Sequence, residues 1–168
     1  LDFDDLLLVT LTLLKNNPAA LARCRARWTH VTIDEYQDTN QVQFEIARLL
    51  TGEKKNICVV GDIDQNIYSW RGADIGHLLS FEKVFPGALV VLLEQNYRST
   101  QKILTAAHDV ISKNKNRIEK KLFTENTEGE QISLYYAMNE QDEAHFVAQR
   151  AAEVVLDGTA PKEIAVLY

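Results

Sequence analysis

Val31-Thr32-Ile33-Asp34-Glu35-Tyr36-Gln37-Asp38-Thr39-Asn40 runs from a short β-branched segment straight into two adjacent acids. The run predicts a buried strand of a parallel sheet. In an open α/β sheet, ligands sit beyond the carboxyl ends of the strands. Asp34 and Glu35 stand at that edge. A strand-end Asp can hold a magnesium ion, directly or through water. The neighbouring Glu points elsewhere and can take a proton from an attacking water. Taken alone, such a common pair reads as two solvated acids, and the segments downstream change the balance.

Two further runs end in the same way. Asn56 to Val60 predicts a second buried strand, followed by Gly61-Asp62 with Gln65 close by. Leu89 to Leu93 predicts a third, running into Glu94-Gln95-Asn96-Tyr97-Arg98. In a parallel sheet these ends share one edge and can converge on a single nucleotide. Glu35 would then polarise water, Gln65 would touch a terminal phosphate, and Arg98 would neutralise charge in the transition state. Arg98 on its own reads as a surface salt bridge.

Helices fill the intervals. Phe3 to Leu14 is apolar nearly all round and predicts a buried helix, with Asp4 and Asp5 in its first turn. Asn17-Pro18 starts a second, to about Trp28. Asn40 and Gln43 form a capping-box pattern before a helix that Gly52 stops. Ile75 to Phe85 predicts a helix ended by Pro86-Gly87, and Ser99 or Thr100 caps one striped by Ile103, Leu104 and Ala107. Lys113, Lys115, Arg117, Lys120 and Lys121 cluster next and read as a solvated basic face. Ile132 to Met138, a helix capped by Asn139, and Ile164 to Tyr168 predict a β-α-β unit, a second, smaller parallel layer.

The 168 residues suffice for one domain or two small halves, and 46% apolar with 25% charged is ordinary for a globular protein. A net charge of −6 argues against a generic basic coat for nucleic acid, while leaving room for a narrow positive groove. No apolar run is long enough to span a membrane, and Leu6-Leu7-Leu8-Val9 is short and follows acids, unlike a secretion signal. Cys24 and Cys58 lie far apart, so no zinc site is expected and a reducing, cytoplasmic compartment fits. The first residue is Leu, which suggests an excised piece.

At this point the motifs carry a resemblance. Asp34-Glu35-Tyr36-Gln37-Asp38 resembles motif II of the UvrD/Rep/PcrA-type superfamily 1 DNA helicases. Gly61-Asp62-Ile63-Asp64-Gln65-Asn66-Ile67-Tyr68-Ser69-Trp70-Arg71-Gly72-Ala73 resembles their motif III, a long and specific string. Gln95-Asn96-Tyr97-Arg98-Ser99-Thr100 resembles motif IV, and Asp2-Phe3-Asp4-Asp5-Leu6-Leu7 the segment after their 1B insertion. The order is right and covers the whole chain.

The resemblance implies an α/β fold of parallel-sheet, RecA-like P-loop NTPase halves, each a three-layer α/β/α. Residues 1–94 would be the rear part of domain 1A, and residues 95–168 the first part of domain 2A. It implies ATP and Mg2+, with Asp34 on the metal, Glu35 activating water, and Gln65 on the γ-phosphate. Gln37 would join the nucleotide contacts, Tyr97 would stack on adenine, and Arg98 would be the arginine finger. It sets Phe3, Tyr68 and Trp70 against single-stranded DNA, where aromatic faces grip any base. From the residues alone, Tyr68 and Trp70 are core aromatics beneath the loop, and Phe3 is core of its apolar helix. Arg71 suits a DNA phosphate and a loop brace alike. The implied activity is ATP-driven 3′ to 5′ translocation on single-stranded DNA with duplex unwinding, and the partners would be DNA and repair or replication loading proteins. The motor of a recombination helicase-nuclease and a non-catalytic DNA- or protein-binding module are the competing readings. The family's Gly-x-x-x-x-Gly-Lys-Ser/Thr phosphate loop is not in this sequence, so the chain by itself is expected to be inactive.

Overall fold

The computed structural model describes residues 2–115 and 118–168. Arg117 of the basic cluster therefore lies outside the described residues. The chain is α/β and divides into two compact units, one up to Thr127 and one from Glu128.

The first unit is built on a parallel pair. β1 (Val31–Ile33) lies beside β2 (Ile57–Val59), with Val31 opposite Ile57 and Ile33 opposite Val59. The crossover between them carries α3 (Gln41–Thr51), as a parallel connection requires. Asn40 and Gln43 close its reciprocal capping box, each side chain accepting the other's backbone N–H at 3.0 Å. α1 (Phe3–Asn16) and α2 (Pro18–Arg27) pack with α3, and Asn17 caps α2 through the Ala20 N–H at 3.0 Å. Tyr36 is buried at the centre, its ring edge-on to Phe81 at 5.8 Å and 87°.

Several expectations are corrected. α1 is not a buried helix: Leu14 is its buried residue, while Leu6, Val9 and Leu13 are exposed. A helix apolar all round needs cover on every side, and among the described residues α2 and α3 cover only part of it. The helix expected over Ile75–Phe85 is two short ones, α4 (Gly76–Leu79) and α5 (Phe81–Val84), broken at Ser80. The Ser80 hydroxyl donates to the Gly76 carbonyl at 2.5 Å, the back-bonding that bends helices. Leu89 to Leu93 forms no strand, and Leu89 is 87% exposed. A strand exists only where a neighbouring backbone completes its ladder, and no described segment pairs with 89–93.

Beyond that run, residues 94–100 are held by residues 121–127. Gln95 makes a parallel bridge with Phe123, with Phe123 N–H donating to Glu94 O at 3.0 Å and Asn96 N–H to Phe123 O at 2.8 Å. α6 (Gln101–Ile111) follows, with Thr100 at its N-cap position and Leu104 buried.

The second unit is organised by α7 (Glu140–Leu156), capped by Asn139 through the Gln141 and Asp142 N–H groups. Tyr135 stacks on Phe146 at 4.0 Å and donates its hydroxyl to Asp142 at 2.9 Å. The strands expected over 132–138 and 164–168 are absent here, for the same want of a partner backbone. The second parallel layer is thus reduced to its helix.

Candidate functional site

β1 and β2 deliver their carboxyl ends to one place. Val60 N–H donates to Ile33 O at 2.8 Å, and Tyr36 N–H donates to Val60 O at 2.9 Å, so the pairing outlasts the strands themselves. Between those bonds the chain turns sharply. Glu35 takes the left-handed conformation, φ 50° and ψ 41°, uncommon for a residue with a side chain. That turn lets Tyr36 go inward as core while Asp34 and Glu35 stay exposed. Asp34 Oδ1 accepts the Glu35 N–H at 2.9 Å.

Gln37 ties the two strand ends together. It is 1% exposed, and its Nε2 donates to Glu35 Oε2 at 2.6 Å while its Oε1 accepts the Asp62 N–H at 2.9 Å. Its carbonyl accepts from Asn66 Nδ2 at 2.7 Å. Gln37, whose side chain is expected among the nucleotide contacts, is buried against Glu35 and braces it. Gly61 is small for this reason: a Cβ there would lie 2.9 Å from Gln37 Oε1 and 3.2 Å from Gln37 N.

Asp62 gathers the next set of contacts. Its Oδ1 accepts the Asp64 N–H at 3.0 Å, and its Oδ2 accepts from Gln65 Nε2 at 2.9 Å. Lys120 Nζ pairs with Asp62 and stands 3.8 Å from Asp64 Oδ2. Burial would raise the Asp62 carboxyl, but hydrogen bonds from Lys120, Gln65 and the Asp64 amide outweigh it and hold the group below the ordinary carboxylate range. Lys120 is only 18% exposed. It is thus no member of a solvated basic face, because two acids beyond β2 take its charge. Lys113, Lys115 and Lys121 are exposed as expected.

Three residues on, the loop puts aromatics outside. Trp70 is 72% exposed and Tyr68 is also exposed, so neither is core. Their rings are 6.4 Å apart, and the Arg71 guanidinium lies 4.5 Å from the Trp70 centroid and 5.4 Å from that of Tyr68. Arg71 braces both faces by cation–π contact. Gly72, at φ +82°, closes the turn, and an antiparallel bridge from Ala73 to Asn40 anchors the loop to the start of α3. Phe3, on the first turn of α1, is 88% exposed and stands outside this network.

Tyr97 and Arg98 occupy the other loop. Asn96 Oδ1 accepts the N–H groups of Arg98 and Ser99 at 3.0 and 2.7 Å. Tyr97 and Arg98 are both exposed, and the Tyr97 hydroxyl donates to Gln95 Oε1 at 2.9 Å. The structure thus joins Glu35, Gln37 and Gln65 through Asp62, and sets Tyr68, Trp70 and Arg71 on the same loop. Sequence reading missed Asp62 and Lys120 as organisers. The adjacency Gly61-Asp62 was a signal; the pairing of Lys120, 58 positions away, was not visible in any local pattern.

Comparison with known proteins agrees with the motifs. Residues 1–86 match the UvrD/REP helicase N-terminal domain, and residues 91–168 match the UvrD-like helicase C-terminal domain. The chain is 48% identical over 168 residues to an ATP-dependent DNA helicase PcrA of Staphylococcus aureus, covering 100% of this chain and 23% of that protein. Against the protein of the same name from Leuconostoc citreum it is 48% identical over 99% of this chain and 22% of that one. For Staphylococcus epidermidis the identity is 46%, over 100% and 23%. The chain therefore spans less than a quarter of the length of the relatives it matches. Motifs, strand-end geometry and matched domains together make this chain a member of the UvrD/Rep/PcrA helicase family.

Proposed function

We propose that this chain is the central part of the motor of an ATP-dependent DNA helicase, working in the cytoplasm. It would contribute the rear of domain 1A, residues 1–94, and the first part of 2A, residues 95–168, to RecA-like three-layer halves. The motor would move 3′ to 5′ on single-stranded DNA and unwind duplex, as the resemblance implies. The observation that carries this reading is one connected strand edge. Glu35, braced by Gln37, and Gln65, held by Asp62, meet in a single hydrogen-bond network beside exposed Tyr68 and Trp70.

Asp34 is suited to Mg2+ by its exposed carboxylate at the strand end. Among the described residues no three His, Cys, Asp or Glu side chains form a metal cage. Mg2+ binds through one or two carboxylates with water and phosphate oxygens, so this donor set fits. When bound, the ion neutralises phosphate charge. Glu35 Oε1 and Oε2 are the atoms that would take the proton of the attacking water, and Gln37 fixes their direction through Oε2. Gln65 would contact the γ-phosphate and Arg98 would meet the charge that develops there. Tyr97, exposed, would offer a ring to adenine. Trp70, Tyr68 and Phe3 would stack on bases, with Arg71 near the phosphates.

Glu35→Gln in the full-length protein tests the assignment. Turnover should fall by about 10²–10⁴-fold, as loss of a general base does, while ATP affinity stays within about twofold. A parallel collapse of nucleotide affinity would make Glu35 a binding residue instead.

A further inference from the structure

We propose that Lys120 is a positioning residue that latches the Gln65 loop to the Arg98 loop, so that both groups reach the same γ-phosphate together. The proposal rests on the catalytic reading of Gln65 and Arg98 above and adds the connection between them.

One end of the latch is a shared carboxylate. Asp62 binds Lys120 Nζ and, through its other oxygen, the Gln65 side-chain amide. Asp64 Oδ2, with its side chain 6% exposed, adds a second negative group 3.8 Å from the same Nζ. Without that cation the two acids would repel, and Asp62 would keep only the Asp64 amide and the Gln65 side chain as partners. The anchor of Gln65 would then loosen. The other end is backbone. Lys121 N–H donates to Glu94 Oε1 at 2.7 Å, and the bridge between Phe123 and Gln95 follows. Asn126 Nδ2 then donates to the carbonyls of Tyr97 and Ser99 at 3.2 and 3.1 Å, on either side of Arg98. Residues 120–126 thus run from the Gln65 anchor to the peptide units flanking Arg98. A charge deep enough to be 18% exposed and shared by two acids is more than a surface pair requires.

The latch should act on the chemical step. In the full-length helicase, Lys120→Met should lower kcat for DNA-stimulated ATP hydrolysis by about tenfold, within the range over which residues outside a site modulate it. KM for ATP and affinity for single-stranded oligothymidylate should stay within about twofold, since no binding group is removed. Asp62→Asn should give a similar loss, and the double variant no more than the larger single loss, because both break one unit. Lys120→Arg, which keeps the charge, should recover most of the rate, and Lys121→Met should match wild type. Independent, multiplying losses for Lys120 and Asp62 would overturn the latch. So would an equal loss in Lys121→Met, or a lowered melting temperature with kcat unchanged. Gln65→Ala and Arg98→Ala separate the two levels. If they abolish turnover while Lys120→Met is silent, the latch alone is wrong. If they leave turnover intact, the catalytic reading fails and the latch falls with it.

Discussion

Glu35 carries the most information of any single residue. Its left-handed backbone is imposed by what flanks it: Ile33 and Tyr36 both bond to Val60, and the chain must turn between them. Strain of this kind is held only where surroundings over-determine it, and the Gln37 brace is part of those surroundings. Gly61 is its counterpart just beyond β2. Gly61→Ala should destabilise the fold by about 1–3 kcal/mol, the cost of overpacking, because the new methyl meets Gln37 backbone as well as side chain. Urea denaturation measures it, and an unchanged midpoint would mean the strand ends are looser than described. Asp62 makes a pH prediction. Its folded pKa is depressed, so its contribution is fully present above the ordinary carboxylate value of about 3.9 and is lost as pH falls through the lower folded value. Asp62→Asn should therefore flatten the acid limb of the melting temperature against pH. An acid limb identical to wild type would show that Lys120 and Gln65 do not favour the ionised form.

Among elements, α3 links the chemistry to the aromatic loop. Asn40 caps the helix and also bridges to Ala73, while Thr39 O accepts the Asp74 N–H at 3.2 Å. Asn40→Ala should cost about 1 kcal/mol and loosen the base of the Tyr68–Trp70 loop. Hydrogen exchange should show faster exchange at Ala73 and Asp74, and unchanged protection there would confine the cap to α3. The elements also show what a sequence can and cannot disclose. The caps at Asn17, Asn40 and Asn139 were legible because capping is decided within four residues. β1 and β2 were legible because each run is β-branched and abruptly ended. The runs 89–93, 132–138 and 164–168 are also largely apolar, yet form no strand, since a ladder depends on a partner backbone and not on the run itself. Burial of α1 failed for a similar reason, as cover is supplied by other elements. Strand-end placement of Asp34, Glu35 and Gln65 followed from topology. The Glu35 conformation, the Gln37 brace and the Lys120 pair did not, because each depends on residues that are far apart in sequence.

For the molecule as a whole, the residues proposed to act on the nucleotide are distinct from a phosphate loop that would hold it. No Gly-x-x-x-x-Gly-Lys-Ser/Thr stretch occurs in the 168 residues, and its backbone amides and Lys are what cradle the β- and γ-phosphates. The isolated chain should release no phosphate from ATP, with or without DNA. Steady DNA-stimulated release that disappears in Glu35→Gln would refute this.

On the proposed reading, nucleotide chemistry at Glu35 and Gln65 is coupled to DNA through the exposed aromatics a few residues away. Trp70→Ala in the full-length protein tests it most directly, by ATPase rate against single-strand concentration, with melting temperature recorded alongside. The melting temperature should be unchanged and the basal rate near wild type. Single-strand binding should weaken by about 1–3 kcal/mol, the worth of a base stack, whatever the base sequence. Stimulation by DNA should be largely lost. A destabilised protein whose ATPase is still stimulated by DNA to the wild-type extent would rule out the stacking role and leave Trp70 a structural residue.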